Sequence, residues 1–193
     1  MRQGKPLGLG HAVLQARAIV GDEPFAVLLP DVILNPYKTD YTQQNLAYML
    51  QQFAKQQHSQ ILVDPVKESD IHKYGIAKLA STQMVAKSEQ NQSFAVMGFV
   101  EKPKAEDAPS NLAVVGRYVF NNAIFEYLAN TQPSVGGEIQ LTDAIDALIS
   151  TQGVDVVSMV GNSFDAGDMN SYLQAVGYFA TQLGIEAFQH TAN

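Results

Sequence analysis

The chain has 193 residues, of which 46% are hydrophobic and 16% are charged, a composition that is typical of a folded domain and excludes a disordered tail. The formal net charge of −7 argues against nucleic-acid partners, which need a basic face, and the lack of cysteine excludes disulfides, zinc–thiolate sites and a thiol nucleophile. Because no apolar run is long enough to span a membrane and the N-terminus lacks a signal-peptide pattern, we expect a cytoplasmic protein without membrane partners, organised as one domain over residues 1–193.

Helices and strands are predicted to alternate through the first half of the chain. A loop leads into the first helix with no strand before it, so an α/β domain of this kind is expected to lack its first strand. Apolar residues at helical spacing then define a second helix, and apolar runs ended by proline define strands. The predicted elements are a helix from about 8 to 19, a strand at 25–29, a helix at 42–56 and a strand at 59–66.

The second half is predicted to begin with short strands and to end with helices. Thr142 is expected to cap the second of these helices. The predicted elements are strands at 75–80, 83–87 and 94–100 with a hairpin turn at 87–93, a strand at 112–120, a helix at 121–129, a helix from 142 to 150, a strand at 154–160, a loop at 161–167 and a helix at 168–183. Alternation of strands and helices indicates the α/β class with a mixed, mostly parallel sheet.

The most informative stretch is the apolar run 25–29, which is stopped by Pro30 and followed by Asp31. A continuous apolar run is typical of a strand buried on both faces, and proline ends the ladder because it has no N–H. Asp31 would then lie beyond the strand end, where open α/β sheets bind ligands and where a carboxylate can bind a divalent cation. The alternative is an ordinary turn or helix cap, in which aspartate is common.

Two later stretches repeat this arrangement. The strand at 94–100 is followed by Glu101 and Lys102, which could accept from sugar hydroxyls and neutralise a phosphate, or could form a solvated ion pair. After the last strand, Asp168 could cap a helix, and Asp165 could bring a second carboxylate to face Asp31, which together would suit Mg²⁺.

Gly8-Leu9-Gly10 is only half of a dinucleotide-binding fingerprint. Val13 stands where the third glycine would fall and no strand precedes the pair, which argues against a nicotinamide cofactor. The two glycines could let backbone approach a base or a phosphate, or could simply begin a helix.

Five motifs in one order resemble those of bacterial UTP–glucose-1-phosphate uridylyltransferases, the UDP-glucose pyrophosphorylase family. They are Gln3-Gly4-x-x-Leu7-Gly8-Leu9-Gly10-His11-Ala12, Leu29-Pro30-Asp31-Val32, Val100-Glu101-Lys102-Pro103-Lys104, the segment 108–118 and the segment 137–145. The resemblance runs from residue 2 to about residue 180. It implies a Rossmann-like nucleotide-diphospho-sugar transferase fold and the conversion of UTP and glucose 1-phosphate into UDP-glucose and pyrophosphate with Mg²⁺. We also expect a homo-oligomer.

The resemblance implies a role for each matching residue. Asp31 and Lys102 would be catalytic, and the reaction needs no covalent nucleophile because it depends on positioning and charge neutralisation. The implied ligand contacts are Gln3 and Gly8 at the uracil edge, Asp31 and Asp165 at the metal, Gly75, Glu101 and Gly116 at the glucose, Lys102 at the sugar phosphate, and Glu138 in a loop near the sugar.

The sequence also departs from the family pattern. The G-x-G-T-R loop that binds the triphosphate is absent, so the chain begins about one hundred residues into the pattern, and Asp165-Ala166-Gly167-Asp168 stands where the family often has D-C-G and a lysine. We therefore expect a chain with part of a UDP-glucose pocket and little turnover. The alternative is a non-catalytic interaction or regulatory subunit that pairs with a full-length enzyme through exposed strand edges.

Overall fold

The structure is a computed structural model that describes residues 2–80, 91–134 and 136–185. The described helices and strands are, in chain order, α1 (Leu9–Leu14), α2 (Arg17–Val20), β1 (Phe25–Leu28), β2 (Val32–Leu34), α3 (Leu46–Gln56), β3 (Ser59–Pro65), a 3₁₀ helix (Glu68–Lys73), β4 (Gly75–Leu79), β5 (Ser93–Glu101), a 3₁₀ helix (Ala105–Asp107), β6 (Leu112–Phe120), α4 (Ile124–Asn130), α5 (Leu141–Ile149), β7 (Val154–Ser158), β8 (Ser163–Asp165) and α6 (Met169–Gln182). None of the helices in these ranges is long and apolar enough to cross a bilayer.

The main sheet has the strand order β1-β6-β3-β7-β5-β4, with a further contact between β4 and β6. The predicted α/β class with a mixed sheet is confirmed, but the expectation of a mostly parallel sheet is wrong. Among the described pairs only β3 and β7 are parallel. The reason is that β5 and β6 run opposite to their neighbours and are inserted between them. β1, β3, β4 and β7 run in one direction, and β5 and β6 run in the other.

β1 lies at one end of the described sheet and pairs only with β6. Its residues alternate between half-buried and exposed, and Leu28 is 51% exposed, so the expected burial on both faces is wrong. A run of apolar residues does not reveal whether a strand is central or at an edge, and here only one face is packed. Phe25 on that face stacks on Phe125, with ring centroids 4.8 Å apart.

Most other predicted elements are confirmed with shifted bounds, and the strand at 112–120 matches β6. The single helix predicted from 8 to 19 is two short helices instead. Thr142 is not a cap, because α5 already begins at Leu141 and has no capping side chain. The predicted strand at 83–87 and most of the predicted turn at 87–93 lie outside the described residues.

The central strand β3 supplies side chains to hydrophobic clusters on both faces of the sheet. Ile61 and Val63 pack into the larger cluster with α1, α4 and α5, whereas Leu62 packs with α3 on the other face. Side chains alternate along a strand, which is why neighbouring residues of β3 serve different layers. Burial of β3 between two helical layers fixes the strands whose ends form the site described below.

Replacing Phe125 with alanine should lower the free energy of unfolding by about 3–5 kcal/mol, because the side chain is buried and the surrounding core cannot fill the resulting cavity. Urea denaturation followed by circular dichroism measures this loss. Ile19→Ala is the matched control, since Ile19 is 73% exposed and its truncation should cost less than about 0.5 kcal/mol. Equal losses in the two variants would contradict this core.

Candidate active site

A cavity of about 370 Å³ opens beside the ends of β1 and β5, beneath the start of α5. It gathers most of the residues that the sequence predicts to be functional: Asp31, Gly75, Glu101, Lys102, Gly116, Glu138 and Asp165. Gln3 and Gly8 do not line this cavity, although their neighbour Leu9 does. Residues spread over most of the chain therefore meet at one edge of the sheet.

Asp31 and Asp165 are brought together by a short antiparallel pair, β2 and β8. Val32 lies opposite Asp165 in this pair, and the Ala166 N–H donates to the Asp31 carbonyl oxygen at 2.6 Å. A β-carbon at Gly167 would lie 3.0 Å from Asp165 Oδ1 and 3.8 Å from Asp31 Oδ2, so both carboxylates border the same small space. The predicted loop at 161–167 thus contains a strand that sequence reasoning missed, because three residues are too few to show a period.

The two carboxylates differ in their hydrogen bonding. Asp165 accepts from the Gly167 N–H at 2.9 Å and from the Tyr74 hydroxyl at 3.4 Å. Burial and the nearby Asp165 raise the pKa of Tyr74, which keeps its hydroxyl protonated as a donor. No hydrogen bond from the described residues reaches the exposed Asp31 carboxylate. That oxygen pair is available to a ligand or a cation.

The donor set suits a hard divalent cation that shares its coordination with a ligand. In the described ranges, no group of three His, Cys, Asp or Glu side chains could hold a metal ion. Asp31 and Asp165 can nevertheless supply two oxygen ligands, and Mg²⁺ commonly takes one or two carboxylates with waters and phosphates as the remainder. The expectation that Asp168 caps a helix is confirmed, since its side chain accepts from the Asn170 and Ser171 N–H groups at the start of α6.

The end of β5 directs an acid and a base into the same cavity. Lys102 has a φ of 46°, a left-handed conformation that is uncommon for residues other than glycine, and its N–H donates to the Tyr74 carbonyl oxygen at 3.0 Å. Its Nζ lies 3.9 Å from Glu101 Oε1 and is well exposed. Backbone strain of this kind is concentrated at functional sites, where the surrounding structure enforces it.

Thr142 holds the Glu101 carboxylate in place. Its hydroxyl donates to Glu101 Oε2 at 3.3 Å from the first turn of α5. Gly75 lies opposite Glu101 in the β4–β5 pair, and a β-carbon there would come within 3.2 Å of Glu101 Oε2 and 3.1 Å of Thr142 Cγ2. A glycine at position 75 therefore leaves room for the carboxylate and its partner.

The floor of the cavity is formed by β6. Gly116 has a φ of 64°, and a β-carbon there would lie 2.9 Å from Leu29 Cδ1, so both the conformation and the close approach require glycine. Tyr118 is buried below it. Burial, together with the charges of Glu101 and Asp31, raises the pKa of Tyr118, so its hydroxyl stays protonated.

Gln3 and Gly8 lie beside the wall that carries Glu138. A β-carbon at Gly8 would lie 2.9 Å from Glu138 Cβ, and Gly8 has a φ of 91°. Gln3 donates to the Gly8 carbonyl oxygen at 3.2 Å and contacts His11 Nδ1 at 2.8 Å. Their expected role at the uracil edge stays a prediction.

Sequence reasoning missed Tyr74, Thr142 and Tyr118. It also missed Arg117, whose guanidinium donates to the carbonyl oxygens of Leu29 and Val32 on either side of Asp31. Tyr74 and Thr142 carry no local signal, since each acts through a partner that is distant in the chain. Arg117 had a usable signal, because a glycine inside an apolar strand, here Gly116, often marks a bulge.

This arrangement is that of a nucleotidyl transferase: residues 1–182 match the Nucleotidyl transferase family, and the chain belongs to it. Nucleotidyl transferases of this family generally use a divalent metal. The predicted family resemblance and the Rossmann-like fold are confirmed by the relatives described next.

The chain is 50% identical over 175 residues to the UTP–glucose-1-phosphate uridylyltransferase of Escherichia coli K12, a match that covers 91% of this chain and 56% of the relative. The Haemophilus influenzae enzyme of the same name is 48% identical, with 91% and 58% covered. The chain therefore spans just over half the length of these curated relatives.

The chain is also similar to solved structures of UDP-glucose pyrophosphorylases. UDP-glucose pyrophosphorylase from Acinetobacter baumannii is 41% identical with a TM-score of 0.81, and 94% of this chain and 59% of that chain are covered. A UDP-glucose pyrophosphorylase complexed with UDP-glucose is 32% identical with a TM-score of 0.83, with 94% and 65% covered.

Gly167→Ala should weaken divalent-cation binding by about tenfold, because the added methyl group would crowd the space between the Asp31 and Asp165 carboxylates. Titration with Mn²⁺, followed by the electron paramagnetic resonance signal of the free ion, measures the affinity. Gly177→Ala is the matched control, since a β-carbon at Gly177 would meet nothing within 4 Å. If Gly167→Ala bound Mn²⁺ as tightly as Gly177→Ala, the prediction that Asp31 and Asp165 share a cation would be wrong.

Proposed function

We propose that the chain carries the sugar-phosphate-binding and metal-binding part of a UTP–glucose-1-phosphate uridylyltransferase, which forms UDP-glucose and pyrophosphate from UTP and glucose 1-phosphate. The observation that carries the proposal is one cavity that contains two adjacent carboxylates and a Glu–Lys pair. Support comes from relatives of that name and from solved neighbours, one of them UTP-bound and another complexed with UDP-glucose.

Glu101 and Lys102 would recognise the sugar phosphate. Thr142 orients the Glu101 carboxylate, which can accept hydrogen bonds from sugar hydroxyls. Lys102 presents a flexible ammonium that can neutralise a phosphate as a point charge. Gly75 and Gly116 allow the backbone to approach a sugar ring closely, and Glu138 also lines the cavity.

Asp31 and Asp165 would hold Mg²⁺ with phosphate oxygens of the ligand. The bound ion would neutralise phosphate charge, which the acidic cavity cannot do alone. In the proposed reaction an oxygen of the glucose 1-phosphate attacks the α-phosphorus of UTP, the bond to pyrophosphate breaks, and pyrophosphate leaves. The chain contributes by orienting the two reactants and by the charge of Lys102, and Gln3 and Gly8 would contact the uracil edge.

We also propose that Mg²⁺ is the physiological metal, that the chain acts in the cytoplasm and that it forms a homo-oligomer.

A non-catalytic interaction subunit is the second candidate function. It is favoured by β1, which has no second strand partner among the described residues and exposes Leu28. Such an edge can pair with another chain.

Isothermal titration calorimetry with UDP-glucose and Mg²⁺ tests the proposal. The parent chain should bind, and Lys102→Ala should weaken binding by about tenfold because a charge-assisted contact to phosphate is lost. Lys104→Ala is the matched control, since Lys104 is exposed, pairs with Glu106 and does not line the cavity.

Absence of binding by the parent chain would contradict the proposed site and favour the subunit alternative. If Lys102→Ala and Lys104→Ala bound UDP-glucose with equal affinity, only the proposed role of Lys102 would be contradicted, and the proposed site would stand.

A further inference from the structure

β6 contains a bulge at the point where it passes the candidate site. Opposite β3, Ile61 is paired with Tyr118 but Val63 is paired with Val114, so β6 has extra residues between these two positions. The bulged segment contains Gly116, with its left-handed φ, and Arg117. Bulges bend a strand and re-aim a side chain, and they are over-represented next to active sites.

The Arg117 side chain points from this bulge to the turn that follows β1. Nη1 donates to the Leu29 carbonyl oxygen at 2.9 Å and to the Gly116 carbonyl oxygen at 3.0 Å, and Nη2 donates to the Val32 carbonyl oxygen at 2.6 Å. All three acceptors are main-chain atoms, and two of them flank Pro30 and Asp31 on either side. The guanidinium therefore holds both ends of the turn from Leu29 to Val32.

The same turn also sets the position of Asp31 relative to Asp165. Val32, which Arg117 contacts, lies opposite Asp165 in the β2–β8 pair. The Ala166 N–H donates to the Asp31 carbonyl oxygen. A guanidinium that fixes the turn thus also fixes the relative position of the two carboxylates, without bonding to either.

We propose that Arg117 is a positioning residue that holds Asp31 against Asp165 through the main chain of the turn from Leu29 to Val32. The consequence for cation affinity rests on the proposed function, whereas the effect on the turn does not. Arg117 carries a positive charge close to Asp31, so its charge alone disfavours a cation. Removing the charge would strengthen cation binding, and losing the clamp would weaken it, so the two effects have opposite signs.

Amide hydrogen exchange, followed by NMR, tests the clamp directly. In Arg117→Met the Ala166 amide should exchange about tenfold faster than in the parent. The amide of Leu62 in buried β3 reports global unfolding, and any change in its exchange rate is subtracted from this effect. Arg17→Met is the matched control, because Arg17 forms an exposed ion pair with Glu126, and neither residue lines the cavity, so exchange at Ala166 should stay unchanged. Unchanged exchange at Ala166 in Arg117→Met would overturn the proposal.

Mn²⁺ titration separates the loss of the clamp from the loss of the positive charge, because the two change cation affinity in opposite directions. Arg117→Met should bind Mn²⁺ about tenfold more weakly than Arg17→Met while both remain folded. Tighter binding by Arg117→Met would mean that its charge outweighs the clamp and would overturn the positioning role in cation binding. If the parent chain bound neither Mn²⁺ nor UDP-glucose, the proposed function would fail, and the exchange experiment would still decide whether Arg117 holds the turn.

Discussion

The candidate site depends on one short antiparallel contact, the pairing of β2 with β8. Each strand has only three residues, yet the register that sets Val32 against Asp165 brings together segments from near the two ends of the chain. The Ala166–Asp31 main-chain hydrogen bond extends that pair by one further contact. Two carboxylates in this position repel each other, so the folded chain must hold them with other interactions. Tyr74 and the Gly167 N–H stabilise Asp165, and the guanidinium of Arg117 lies close to Asp31.

The second half of the site depends on how β5 ends. Glu101 is the last residue of β5 and Lys102 follows it, and the strand is held by β4 on one side and covered by α5. Asp146 of α5 accepts from the Phe99 N–H at 2.7 Å, and Thr142 on the same helix donates to Glu101. The helix thus anchors the strand before its end and orients the acid at its end. Burial of Asp146 raises its pKa, which is the cost of placing a carboxylate at this helix–strand contact.

The sequence is a good guide to which residues meet but a poor guide to how they meet. Apolar runs ended by proline or by an acid correctly indicate the ends of β1 and β5, because burial and the missing proline N–H act locally. The direction and neighbours of the strands could not be predicted, since they depend on contacts between distant segments, and for this reason the expected parallel majority is wrong. β2 and β8 are too short for any periodicity. The contacts of Tyr74 and Thr142 depend on partners that no local pattern reveals.

We propose above that Asp31 and Asp165 form one cation site in a cavity that also binds a nucleotide sugar. Anomalous diffraction from a crystal of the chain grown with Mn²⁺ and UDP-glucose tests it most directly. We expect one Mn²⁺ peak at roughly 2.0–2.3 Å from an oxygen of each carboxylate, with the ligand phosphates completing the coordination and the sugar beside Glu101 and Lys102. A Mn²⁺ peak bound to neither carboxylate, with UDP-glucose outside this cavity, would contradict it.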